Sequence, residues 1–134
     1  MITKNSFLSL VLFCSLCFTA ASEEQTFKNI TLEIDQNLID LMVKNGTDVE
    51  KIHYVSFIID CNSESLIKEF ASEANKLDYE EGYISFSERI RLWTTSYAKE
   101  MKLNTAELAK HREPLTKLLP KQGCKPITWG SSVE

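Results

Sequence analysis

Few side chains in this chain could act on a substrate, and each sits in a pattern that speaks for structure instead. His53 is in phase with Val55, Phe57 and Ile59, an alternation that buries one face of a strand. His111 follows Leu108 by three residues and precedes Leu115 by four, on a helical apolar stripe. Histidines so placed are read as hydrogen-bonded packing residues rather than bases. No HExxH, GxSxG or glycine-rich phosphate loop occurs, and 4 glycines are little material for a phosphate cradle. The acidic pairs Glu23-Glu24 and Glu80-Glu81 read as solvated surface. No catalytic residue, metal site or cofactor is expected, and an enzyme is not.

The cysteines carry more information. Lys4 precedes an almost wholly apolar run from Phe7 to Phe18, which ends in the small residues Thr19-Ala20-Ala21-Ser22. That is the plan of a secretory signal peptide over residues 1–21, leaving 22–134 as a single domain. The run is shorter than the roughly 20 residues of a spanning helix, so cleavage is preferred to anchoring, and no membrane contact is expected afterwards. Cys14 and Cys17 leave with the leader; Cys61 and Cys124 enter a compartment where disulfides form. Their spacing is too long for a redox CxxC pair, and zinc-site neighbours are missing, so a structural bridge is expected. Closing so long a loop is worth about 4 kcal/mol in the chain-entropy model. The expected location is secreted or periplasmic.

A third set could bind a partner. Arg89, Arg91, Trp93 and Tyr97 alternate with Ile90, Leu92 and Thr94. If Ile90 and Leu92 point inward, the others face the open side of a sheet, where Tyr54 of an earlier strand joins them. Arg, Trp and Tyr dominate binding energy at protein interfaces. Sheet aromatics can also stack single-stranded RNA. The chain has 15 basic residues, one of them the departing Lys4, against 19 acidic. That balance disfavours nucleic acid and anionic membranes, leaving a protein partner. The competing reading is that an amino-terminal helix or a dimer partner covers this face.

The elements that must position these residues can be placed in order. Residues 23–30 read as a loose lead-in. A short helix follows from Asp35, with Ile34, Leu38, Leu41 and Met42 on one stripe and Asn45-Gly46 as its stop; a strand over Thr31–Ile34 is the alternative there. His53–Asp60 is a strand. Asn62 or Ser63 caps a helix that buries Leu66, Phe70, Ala74 and Leu77. Tyr79–Phe86 is a weak strand broken by Gly82, and Arg89–Tyr97 a stronger one. Asn104 and Glu107 resemble a capping box before a helix striped by Leu108, Leu115, Leu118 and Leu119, with a kink or a fresh start at Pro114. Lys125–Trp129 is the last strand. The expected class is α+β, a ferredoxin-like βαββαβ sandwich preceded by a short amino-terminal helix. In that topology the first strand lies beside the last and runs opposite to it, which brings Cys61 next to Cys124.

The succession LMVKNGTD (Leu41–Asp48), EFASEANKLDYE within Ser63–Glu80, KLNTAEL (Lys102–Leu108) and TWGSSVE (Thr128–Glu134) resembles the regulator of ribonuclease E activity B family, also called ribonuclease E inhibitor proteins. The likeness extends over most of residues 38–134. It implies a ferredoxin-like domain without catalytic residues that works by binding protein; members of the family dock on ribonuclease E in the cytosol. The mild acidity and the export signal depart from that pattern, so the expectation is an exported regulatory domain with a partner outside the cytosol. The alternatives are a cytosolic ribonuclease E regulator and a small periplasmic ligand-binding protein.

Overall fold

A computed structural model of the chain describes residues 26–132. The expected leader, residues 1–21, lies outside the described residues, and Cys14 and Cys17 with it. The described residues form three helices and five strands: α1 over 26–44, β1 Ile52–Cys61, α2 Glu64–Ala74, β2 Glu80–Glu81, β3 Ser85–Ser87, β4 Leu92–Lys102, α3 Thr105–Thr116 and β5 Thr128–Ser131. The class is α+β, with an open antiparallel sheet. Residues up to Asn37 and residues from Leu38 onward belong to two compact units.

Residues 26–34 are helical, so the lead-in reading of 26–30 and the strand alternative at Thr31–Ile34 both fall. Thr31 illustrates why: its hydroxyl donates to the Phe27 carbonyl at 3.0 Å, one helical turn back. The stripe also differs from expectation. Asp35, Ile39 and Met42 are buried, whereas Ile34 and Leu41 are 61% and 54% exposed. Gly46, at φ 99°, ends the helix. The Thr47 amide reaches the Met42 carbonyl and the Gly46 amide the Val43 carbonyl, each at 3.0 Å, the paired bonds of a Schellman stop.

β1 is the central strand. Val55, Phe57, Ile59 and Cys61 are wholly buried, and the residues between them are half-buried. The alternation of β-branched and aromatic side chains puts one face of the strand in the core. The strand order is β2-β4-β1-β5, with β3 also on β4, and every pairing is antiparallel. The core on that face is completed by Ile67, Phe70, Leu108, Leu115 and Trp129.

Three expectations about packing need correction. The inner face of α2 is Ile67, Phe70, Ala71 and Ala74; Leu66 is only half-buried against the same core, and Leu77 lies exposed beyond the end of the helix at Ala74. α3 is one helix from Thr105 to Thr116 with Pro114 inside it, so the expected alternative of a fresh helix starting at the proline falls. β4 is offset most. It starts at Leu92 and continues to Lys102, five residues past the expected end at Tyr97. Its pairing sets Trp93 opposite Cys61, Thr95 opposite Ile59 and Tyr97 opposite Phe57. Directly opposed residues share a face, so the odd-numbered side of β4 faces the core and Ile90 lies in the preceding turn.

Candidate protein-binding surface

The reversed phase of β4 disperses the expected surface. Tyr97 is a core residue, 1% exposed, with its ring 5.8 Å from Phe70 and 6.4 Å from Tyr79. Its hydroxyl donates to Asn75 Oδ1 at 2.8 Å. Burial, with Glu81 adding to it, pushes the Tyr97 phenol up to about 12. Tyr54 lies on the opposite face of the sheet, across from Glu100 and 44% exposed. A hydrogen bond with the Glu80 carboxylate raises its pKa, a proton-holding effect to which the Glu80 and Glu100 charges add. These two tyrosines do not belong to one site.

Arg89, Arg91 and Trp93 do stay together, at the β3–β4 hairpin. Ser87 and Leu92 close the hairpin as a cross-strand pair, and the Arg91 amide donates to the Ser87 carbonyl at 2.8 Å. The turn is tight enough that Arg91 takes φ 57°, a conformation that non-glycine residues adopt at some cost. Phe86 and Trp93 face each other across the two strands, with centroids 5.3 Å apart and planes at 53°. The Arg91 guanidinium lies 5.5 Å from the Phe86 ring centre, within cation–π range. It also meets Glu88 at 3.4 Å, with side chains 75% and 84% exposed, a pair that solvent makes weak. Phe86 is the member that the sequence reading missed; its place on a strand immediately before the Arg-rich turn was the available signal.

This hairpin adjoins the disulfide. Cys61 is bonded to Cys124 across 63 residues, and the two also form an antiparallel bridge. Phe86, Trp93, Cys61 and Cys124 therefore make a row across four neighbouring segments at one end of the sheet. The Asn62 amide donates to the Gly123 carbonyl and the Lys125 amide to the Asp60 carbonyl, each at 2.8 Å. The start of α2 and the loop around Cys124 are thus tied to the same end.

The histidines are in structural contacts. His53 Nε2 donates to the Asp48 carbonyl at 2.7 Å, and His111 Nε2 meets Glu107 Oε2 at 3.1 Å. The Tyr79 hydroxyl closes α3 onto the sheet by donating to the His111 carbonyl at 2.6 Å. Arg112, a buried cation on α3, was not anticipated, since an apolar stripe gives no sign of one. Among the described residues no group of three or more His, Cys, Asp and Glu could hold a metal ion, and no helix is long and apolar enough to cross a membrane.

A family model described as regulator of ribonuclease activity B matches residues 32–131, a span from within α1 to the end of β5. No curated protein matches the chain.

Proposed function

The chain belongs to the family of regulators of ribonuclease activity B, and from that membership we propose that it acts by binding and restraining a protein rather than by catalysis. The match over residues 32–131 carries the reading, because it takes in every strand of the sheet. The fold is proposed to be the ferredoxin-like βαββαβ arrangement, with β2 and β3 as one interrupted strand and α1 as an amino-terminal addition. The order β2-β4-β1-β5 and the antiparallel pairings support it.

The proposed contact surface is the β3–β4 hairpin, with exposed Arg89 and Arg91 and the half-buried Phe86–Trp93 pair, whose Trp93 also packs against the core. Arg and Trp side chains held on a rigid hairpin bind with little loss of conformational freedom. Tyr54 lies on the other face and stands apart from this surface, and buried Tyr97 supports the hairpin only through the sheet.

Export is proposed as well, supported by the apolar run Phe7–Phe18 and by a disulfide of the kind that persists outside the cytosol. The partner then meets the domain outside the cytosol. Family membership favours a second reading, regulation of a cytosolic ribonuclease. Cell fractionation with intact-mass measurement separates the two. Loss of residues 1–21 and of two hydrogens supports export, and a full-length, reduced, cytosolic protein supports ribonuclease regulation. For the surface, the mature chain and its Arg89→Ala and Arg91→Ala variants are used as bait in extracts of its own compartment. A protein held by the parent and released by the variants is the expected result. Retention of nothing, or equal retention by all three baits, refutes the hairpin as the contact.

A further inference from the structure

Resting on that binding reading, the structure points to the chemistry of the partner: we propose that the disulfide end of the sheet takes an acidic protein segment. The chain as a whole is acidic, at net charge -4, yet this end gathers cations. The β3–β4 turn brings Arg89 and Arg91, both exposed. The loop bonded through Cys61–Cys124 to the end of β1, the strand next to β4, brings Lys121 and Lys125, also exposed. Backbone contacts hold that loop against the start of α2 and the end of β1.

The acidic residues at this end are Asp60, Glu64 and Glu88. Glu64 is engaged by Lys68 at 2.7 Å and Glu88 by Arg91 at 3.4 Å. Asp60 is half-buried opposite Thr94, on the sheet face away from the core. Among the described residues no ion pair engages Arg89, Lys121 or Lys125. Three exposed cations therefore stand at the disulfide end of the sheet, Arg89 in the hairpin and Lys121 and Lys125 across β1 from it, on a chain of opposite net charge.

Physical consequences follow from that contrast. A carboxylate-rich segment is drawn to this end and repelled by the rest of the domain, which orients the encounter. Arg91, placed over Phe86 and only weakly held by exposed Glu88, has guanidinium N–H groups to offer to a carboxylate. The half-buried Phe86 ring, backed by Trp93, supplies the apolar area beside it. A nucleic acid would also seek the cations, but its phosphates would meet the acidic remainder of the domain along any extended contact.

The test uses the mature, oxidised chain and fluorescein-labelled decapeptides, one alternating Glu with Leu and one alternating Lys with Leu, with a single-stranded oligonucleotide as a third probe. The glutamate peptide should bind, and its affinity should fall about tenfold as salt rises from about 50 to about 300 mM, the signature of exposed charge pairs. The variant Arg89→Glu/Lys121→Glu/Lys125→Glu should lose about tenfold or more. Lys51→Glu/Lys102→Glu, at the far end of β1 and β4, should bind as the parent does. Thermal unfolding of both variants reports whether the fold is kept. Preference for the lysine peptide or the oligonucleotide, or no effect of the triple reversal in a folded variant, overturns the proposal. A protein partner held equally by parent and triple variant would refute the acidic chemistry and leave protein binding standing. Failure to retain any partner would refute protein binding itself.

Discussion

Tyr97 shows what one buried phenol does in this core. Its hydroxyl bond to Asn75 is worth about 1 kcal/mol net, so Tyr97→Phe should lower stability by about that much at neutral pH while keeping the ring contacts with Phe70 and Tyr79. The alkaline limb should change too. Below pH 10.0, the ordinary tyrosine value, folded and unfolded chains both keep the proton. Between there and about 12 only the unfolded chain releases it, so stability falls as pH rises through that window. Denaturant titrations at stepped alkaline pH should therefore show a shallower fall in Tyr97→Phe. Some fall should persist, because burial raises the Tyr79 phenol as well. Gly123 is constrained differently. At φ 95°, with the place of a Cβ taken up by Leu66 and lying 3.1 Å from Asn62 Oδ1, Gly123→Ala should cost about 1 kcal/mol or more. Chemical denaturation reads this directly, and an unchanged midpoint would contradict the strain.

At the scale of the element, α2 separates two readings of one helix. Leu66 and Ile67 are adjacent and both aliphatic, but Ile67 is wholly buried and Leu66 only half. Ile67→Ala should cost about 2–5 kcal/mol and Leu66→Ala clearly less; equal losses would mean that the helix is rotated. The Ser63 hydroxyl accepts from the Leu66 amide at 3.3 Å, and Ser63→Ala should remove about 1 kcal/mol without touching the core. β2 and β3 are short for a local reason. Gly82 lies between them, its amide on the Ser96 carbonyl at 2.7 Å, and a Cβ there would collide with the Ser96 hydroxyl and lie 3.3 Å from that carbonyl. The chain needs the bare backbone to approach β4 so closely, and the Gly82 break expected in the strand reflects that approach.

Across the whole molecule, the Cys61–Cys124 bond joins the end of the central strand to the segment leading into β5. The segment between them, at a sequence separation of 63, contains α2, β2, β3, β4 and α3. Cross-linking them restricts the unfolded chain far more than the folded one, a gain of about 4 kcal/mol in the chain-entropy model. Cys61→Ala/Cys124→Ala should lose roughly that amount in urea unfolding at unchanged fold. A loss near zero would mean that the unfolded chain is already compact there. The same bond holds the loop of Lys121 and Lys125 against the end of β1, at the end of the sheet where the β3–β4 hairpin also lies.

Much of this was legible before any coordinates. The period of two in Val55, Phe57 and Ile59 marks a buried strand face in any fold, and the Asn45-Gly46 stop and the Ser63 and Asn104 caps act within a few residues. The pairing of Cys61 with Cys124 follows from the expectation that Cys14 and Cys17 leave with a leader, which leaves each no other partner. Phase was different. Whether Trp93 and Tyr97 or Ile90 and Leu92 face inward depends on where β4 begins, and that is set by its register against β1, a relation between residues some forty positions apart. A one-residue offset exchanges the two faces of a strand, so local alternation could identify the strand but only cross-strand pairing could say which side binds. The likewise long-range bond of the Cys124 loop to the end of β1, beside which β4 lies, brings to one end of the sheet cations that the sequence scatters from Arg89 to Lys125.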